Sequence, residues 1–324
     1  MSEKPKIGIY WCSSCGGCEE AIVDLNETIL DVVAAVDIMF WPVAMDFKYQ
    51  DVVSMEDGEM LASFINGGIR LSEQEEIVKL LRKKSQLIFA FGSCSHLGGV
   101  PGLANLQNRE SVFNRVYKEI DSNDNPDNTV PETKVMVDGK YEAELPEFYD
   151  SVYPLDQIID VDYYIPGCAP APDTITDAFM AILKNELPDK GSVLSPSKSL
   201  CDTCPRKETK PDKVDIDAFR RPQFYDKLDD GRCFLEAGII CMGPATRGGC
   251  GERCINANMA CRGCYGPPDG VKDQGLRMLS ALASIIKPNE EEGIEKVLKT
   301  LPDQIGPLYM YGLPSSILFR KKMD

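Results

Sequence analysis

Residues 6–20 read KIGIYWCSSCGGCEE. The first six, Lys6 to Trp11, form a short apolar run rich in β-formers and predict a strand. Cys15-Gly16-Gly17-Cys18 follows at once. Residues 19–30 then carry Ile22, Val23, Leu25, Ile29 and Leu30 at helical spacing. Strand, glycine-rich turn and helix in succession open an α/β unit, and the alternation recurs downstream. Residues 36–41 predict a second strand that stops at Pro42, 73–84 a helix, 87–92 (LIFAFG) a strand, 161–166 (VDYYIP) a strand and 173–185 a helix. Such an order implies a parallel sheet covered by helices on both faces.

The pattern changes after about Gly191. Residues 192–268 are rich in Cys, Gly, Pro and charge, with few periodic apolar runs. They predict a mostly irregular, cysteine-rich region organised by metal rather than by a large core. Two domains are therefore expected, residues 1–190 and residues 191–324. Within the first, residues 105–154 are less regular, and the acidic, Asn- and Pro-rich stretch 121–132 reads as a surface loop. Near the C-terminus, residues 269–286 predict a helix, and Arg320-Lys321-Lys322 reads as a solvated tail.

A formal net charge of −16, from 35 basic and 51 acidic side chains, repels phosphate backbones and argues against a nucleic-acid partner. No apolar run is long enough for a membrane span. The N-terminus has no signal core or twin-arginine pair, so a cytoplasmic location is expected. In a reducing cytosol, the thirteen cysteines point to metal or redox chemistry rather than disulfides. A single histidine, His96, argues against Cys/His zinc fingers and paired-histidine haem ligation.

Four cysteines share one context. Cys15 and Cys18 follow the strand ending at Trp11, Cys94 follows Phe91-Gly92, and Cys168 follows Pro166-Gly167. Ligands of an open parallel sheet bind at the carboxyl ends of its strands, so these thiols are expected at one edge. The glycines around them allow close backbone approach to a bulky group, and the helix beginning near Glu19 adds its positive end. Taken singly, CGGC also suits a thioredoxin-like redox pair, and Cys94 or Cys168 a small buried hydrophobe. Eight further cysteines, Cys201, Cys204, Cys233, Cys241, Cys250, Cys254, Cys261 and Cys264, make two sets of four. Ligand type does not decide between iron–sulfur clusters and structural zinc held by four cysteines here. Cys12 is left over and reads as packing near the first site. His96 reads as a hydrogen-bonding loop residue with a possible tuning role, Glu19 and Glu20 as favourable helix starters, and Arg206, Lys207 and Arg253 as surface charge that can offset a cluster's negative charge.

Four segments carry a family resemblance: Trp11-x3-Cys15-Gly-Gly-Cys18-Glu19, Gly92-Ser-Cys94-x3-Gly98-Gly99, Pro166-Gly167-Cys168-Ala-Pro170, and Cys241-Met-Gly-Pro244 with Cys261-Arg-Gly-Cys264. Over essentially its whole length the chain resembles the small subunit of a [NiFe]-hydrogenase. It is most similar to the cytoplasmic F420-non-reducing (methyl-viologen-reducing) type that associates with heterodisulfide reductase. The resemblance implies a flavodoxin-like N-terminal domain and three [4Fe-4S] clusters in a line. It assigns Cys15, Cys18, Cys94 and Cys168 to the proximal cluster, Cys250, Cys254, Cys261 and Cys264 to the medial, and Cys201, Cys204, Cys233 and Cys241 to the distal. Many relatives have histidine at the position of Cys201 and proline at that of Cys254. With Cys254 present, a four-iron medial cluster is expected.

The implied function is electron relay between the nickel–iron site of a separate large subunit and a redox partner such as a heterodisulfide reductase complex. The paired RxCxxC and DPCxxC motifs of that large subunit are absent from this sequence. Competing readings are the small subunit of an F420-reducing hydrogenase or of a nickel-free relative, and a zinc-stabilised scaffold protein. A related subunit of respiratory complex I shares the proximal-site fold but typically has adjacent cysteines at the first site and lacks the eight C-terminal ones. An FMN-binding flavodoxin is disfavoured because Cys15 and Cys18 occupy the phosphate loop.

Overall fold

The structure is a computed structural model that describes residues 4–224, 230–301 and 303–319. Nine strands occur among these residues. They are Lys6–Trp11 (β1), Asp37–Phe40 (β2), Met60–Asn66 (β3), Ile69–Leu71 (β4), Ser85–Phe91 (β5), Lys134–Val137 (β6), Tyr141–Glu144 (β7), Phe148–Tyr153 (β8) and Tyr163–Ile165 (β9). Five form a sheet in the order β2-β1-β3-β5-β9, with every pairing parallel. Counting these five in chain order gives 2-1-3-4-5, the flavodoxin-like order.

Alternation along each strand sends side chains to opposite faces, and both faces are buried. On one, Ile7, Ile9, Phe64 and Phe89 meet Ile22 of the helix Gly17–Val23, and Ile175 and Phe179 of the helix Pro172–Leu183. Phe64 lies 4.9 Å from both Phe89 and Phe179, ring centre to ring centre. On the other face, Met60, Ile65 and Ile88 meet Val78 and Leu81 of the helix Ser72–Lys84.

The predicted parallel sheet is present, with differences in detail. The continuous helix expected over 19–30 is two, Gly17–Val23 and Thr28–Ala35. Between them Asn26 takes a left-handed φ of 52° and its side chain donates to the Asp24 carbonyl, which ends the first helix. The central strand β3 has no counterpart among the predicted strands. Residues 121–132 lie largely exposed, as expected of a surface loop, and lead into an exposed hairpin of β6 and β7. Residues 192–268 are mostly irregular, yet they share a contiguous apolar core that includes Leu200, Phe234, Met242, Met278 and Leu301. Its residues come from irregularly spaced loops and from the helices Gln274–Ala283, Glu291–Lys299 and Ile305–Tyr309, so no periodicity announced it. The proposed tail Arg320-Lys321-Lys322 lies outside the described residues. No helix among the described residues is long and apolar enough to cross a membrane.

One ionic knot ties β5 to the edge strand β9. Asp162, just before β9, accepts from Arg82 Nη1 (2.6 Å), from the Ile88 amide (2.8 Å) and from Lys190 Nζ (2.6 Å). Burial pushes its carboxyl up, but these three donors outweigh it and leave the group below the usual aspartate range. Asp162→Ala leaves Arg82 with the carbonyls of Asp160, Ser85 and Gln86 and orphans the Ile88 amide, so a loss of about 2 kcal/mol is expected, read as a lower midpoint in denaturant titration. The ionised group's contribution is full above the unfolded aspartate range and is lost as pH falls through its lower folded value.

Candidate iron–sulfur sites

All five sheet strands run parallel, so their carboxyl ends share one edge. Cys15 and Cys18 follow β1, Cys94 follows β5 and Cys168 follows β9. The four thiols sit within electrostatic reach of one another. Burial pushes the Cys18 thiol up first, then the Cys94, Cys168 and Cys15 thiols add to it. Cys94 is pushed up to about 12 by burial, with Cys168 and Cys15 adding. Thiols so placed resist ionisation unless a cation joins them, and a coordinated metal deprotonates a thiol outright. Two glycines leave the sulfurs room. A Cβ at Gly92 would fall 2.4 Å from Cys18 Sγ, and one at Gly99 2.4 Å from Cys94 Sγ. This cradle and the set of four thiols fit a bulky thiolate-bound group.

A second set gathers from the region after β9. Cys264 senses Cys250 and Cys254, and Cys261 senses Cys264. Backbone N–H groups at Glu252 and Arg253 pull the Cys250 thiol down against its burial, and one at Gly263 does so for Cys261. Such N–H groups aimed at sulfur favour thiolate. In a third set, Cys201, Cys204, Cys233 and Cys241 line one cavity. Cys201 is pushed up to about 12 by burial and then by its three partners, and Cys241 to about 11 by burial. All thirteen cysteines are free of disulfides. Among the described residues, no three His, Cys, Asp or Glu side chains meet closely enough to hold a single metal ion.

The sets are joined in series through their own backbone. Cys264 senses Cys168 as well as its own partners, so the first set adjoins the second. The Ser93 hydroxyl donates to the Cys264 carbonyl across the same boundary. At the next boundary Cys261 senses Cys241, and the Met242 amide donates to the Cys261 carbonyl at 2.9 Å. Neither junction was legible in the cysteine spacing.

Among the residues flanking the cysteines, Glu19, His96 and Arg206 depart from the sequence expectation, while Cys12, Lys207 and Arg253 follow it. Glu19 does more than start a helix. It is only 5% exposed, and its carboxylate accepts from Asn66 Nδ2 at 2.7 Å and from Trp41 Nε1. Burial pushes it up, and the two donors pull it partly back. His96 lies on the short helix Ser93–Leu97 rather than in a loop, and its Nδ1 is buried without a hydrogen-bond partner. Burial, then Arg247, lowers it to about 3, so it stays neutral. Cys12 packs with Phe40 and Ile65 in the apolar core and joins none of the three sets. Arg206 is a half-buried wall of the third cavity, 4.1 Å from the centre of the Phe234 ring, and donates to the Arg232 carbonyl and to Asn258 Oδ1. Lys207 and Arg253 are exposed.

Residues 15–182 match the family described as NADH ubiquinone oxidoreductase, 20 Kd subunit. That span holds the first cysteine set and ends before the other eight. The iron-sulfur subunit of the F420-non-reducing hydrogenase of Archaeoglobus profundus is 37% identical over 98% of both chains. This chain belongs to that hydrogenase small-subunit family. The matching subunit of the F420-non-reducing hydrogenase of Methanothermobacter marburgensis is 36% identical over 98% of this small subunit and 97% of its own length. The similarity therefore runs on through Cys201–Cys264, beyond the matched family span. The [NiFeSe] hydrogenase of Desulfovibrio vulgaris Hildenborough, 17% identical, superposes over 89% of this chain and 99% of its own with a TM-score of 0.53, which shows a shared fold. As a hydrogenase small subunit, the chain is part of an oxidoreductase complex.

Proposed function

We propose that this small subunit relays electrons between the nickel–iron site of a separate large subunit and a redox partner such as a heterodisulfide reductase complex. Three [4Fe-4S] clusters would be held by Cys15, Cys18, Cys94 and Cys168, by Cys250, Cys254, Cys261 and Cys264, and by Cys201, Cys204, Cys233 and Cys241. The observation that carries the reading is the serial arrangement of three four-thiol sets, which meet where Ser93 donates to the Cys264 carbonyl and Met242 to the Cys261 carbonyl. Thiolate-bound clusters supply one-electron carriers whose potentials follow charge, hydrogen bonds to sulfur and burial. The protein's share is to hold twelve thiols in three groups and to cover most of them, with Cys15, Cys168 and Cys254 left exposed.

On this reading, residues 1–190 hold the proximal site and residues 191–324 the medial and distal sites. The strand-end edge faces the large subunit, and the third set faces the next carrier. The reaction would run in the cytoplasm. Metal and acid-labile sulfide analysis of the anaerobically purified complex tests the proposal. About twelve irons per chain, three clusters of four, with nickel from a co-purifying large subunit, is the expected result. The same iron without nickel would move the chain to a nickel-free relative. Zinc without sulfide would mean that the cysteines are structural and would overturn the relay.

A further inference from the structure

The chain's negative charge is unevenly spread. Residues 201–264, which carry the second and third cysteine sets, hold 11 basic and 10 acidic side chains, while the remainder holds 24 basic and 41 acidic. Bordering that near-neutral region, a cavity of about 500 Å³ opens to solvent. Arg220, Arg221 and Arg262 line it, and all three are exposed. Its one carboxylate among the described residues, Asp303, accepts from the amides of Ile305 (3.1 Å) and Gly306 (2.9 Å) and so is committed to the start of the helix Ile305–Tyr309. Cations therefore dominate this opening, against the sign of the chain as a whole.

The floor is apolar and held in place. Phe219, Phe234 and Leu301 are buried there, while Met259 is exposed. The Phe219 amide donates to Thr300 Oγ1 at 2.8 Å, and the Arg220 amide to the Gly238 carbonyl at 2.9 Å. Phe234 is the deciding residue, because it also lines the cavity of the third cysteine set. Arg206 stacks on its ring and donates to Asn258 Oδ1, another residue of the open cavity, at 2.6 Å. Phe234 is thus a wall shared between the open cavity and Cys201, Cys204, Cys233 and Cys241.

We propose that this cavity is where the electron acceptor docks, taking an acidic loop of that protein with an apolar side chain at its tip. The arginines meet the carboxylates, the apolar floor takes the tip, and the shared wall brings the partner next to the third group. Opposite charge steers such an encounter and fixes its orientation. One electron leaves the group held by the third set and reduces a one-electron carrier of the partner; no bond forms or breaks and no proton moves. The apolar floor and the adjoining third set favour a protein carrier over a small anion. This inference rests on the relay reading above and adds the face and the charge of the partner.

The test is Arg221→Glu in the complete hydrogenase complex, with a heterodisulfide reductase complex as the acceptor. Arg115→Glu, at an exposed arginine outside the cavity, is the charge-matched control. Iron, sulfide and nickel are counted first. The expected result is unchanged metal, a KM for the acceptor raised about tenfold with kcat within about twofold, and a weaker dependence of kcat/KM on salt. Arg115→Glu and the charge-keeping Arg221→Lys should both match wild type. Wild-type KM and salt dependence in Arg221→Glu would overturn the inference and leave the relay intact. Equal losses in the two Glu variants would overturn it too, because total charge would then be the cause. Loss of iron from Arg221→Glu would make the residue structural, loss of nickel would give the face to the large subunit, and halving of the complex's mass would give it to a second copy; each overturns the inference. Inhibition of wild type by pyrophosphate, at an ionic strength where sodium chloride has no effect, would overturn it in favour of a small anion. Wild-type complex without iron and sulfide would sink the relay and this inference together.

Discussion

Cys94→Ala is expected to lower the iron content by about four per chain, one cluster's worth, and to bring H2-dependent reduction of the redox partner to background. Cys94 stands where β5 ends, buried, and within reach of the other three thiols of its set. Alanine removes one small atom from a packed position, so the sheet should fold. What is lost is one of four thiols; His96, on the same short helix, packs against Tyr164 instead. Glu19, the buried carboxylate closest in sequence to this set, is committed to Asn66 and Trp41. Hydrogen–deuterium exchange by the large subunit should persist, because that reaction needs no electron to leave. Iron analysis, EPR and an exchange assay on the same preparation read all three consequences. Retention of full iron and partner reduction would remove Cys94 from the ligand set.

Gly92→Ala should have an effect of similar size without touching a ligand. Gly92 has φ 86° and ψ 166°, a region that side-chain-bearing residues almost never enter. A Cβ there would lie 2.4 Å from Cys18 Sγ and 3.4 Å from the Gly167 carbonyl oxygen. The chain must either move β5 away from β9 or push Cys18 out of its set. A destabilisation of about 3 kcal/mol is expected, with loss of the first site's iron. Gly139→Ala separates strain from contact. Gly139 also has a positive φ, 63°, but nothing lies within 4 Å of its Cβ position, so only a backbone cost of about 1 kcal/mol should appear, with iron unchanged. Equal iron losses in the two variants would mean that the clash with Cys18 is not what matters.

Some features were legible because a single local rule carried them. β5 and β9 are apolar runs that stop at glycine and proline, β1 is one that stops at Cys12, and ligand-type cysteines follow all three. Parallel strands then put Cys15, Cys18, Cys94 and Cys168 at one edge without further information. The hydrogenase small-subunit family was legible in the same segments. β3 escaped because its sequence, MLASFIN, mixes small and polar residues with apolar ones. Ser63 and Asn66 are fully buried there, satisfied by Ser85 and Glu19 respectively, and no pattern of hydrophobicity reports such pairing. The break at Asn26 turned on one backbone conformation, and the C-terminal core on residues whose spacing has no period.

From the residues alone came the α/β class, the family, and the presence of twelve cysteines in groups suited to thiolate ligation beside one that is not. Those are properties of short segments, readable because strand, turn and thiol follow one another along the chain. The order in which the cysteine sets adjoin, and the hydrogen bonds from Ser93 to the Cys264 carbonyl and from Met242 to the Cys261 carbonyl, belong to the folded chain. They join residues separated by up to about half of its length, and such contacts form only once burial has drawn the loops together. No local propensity encodes them.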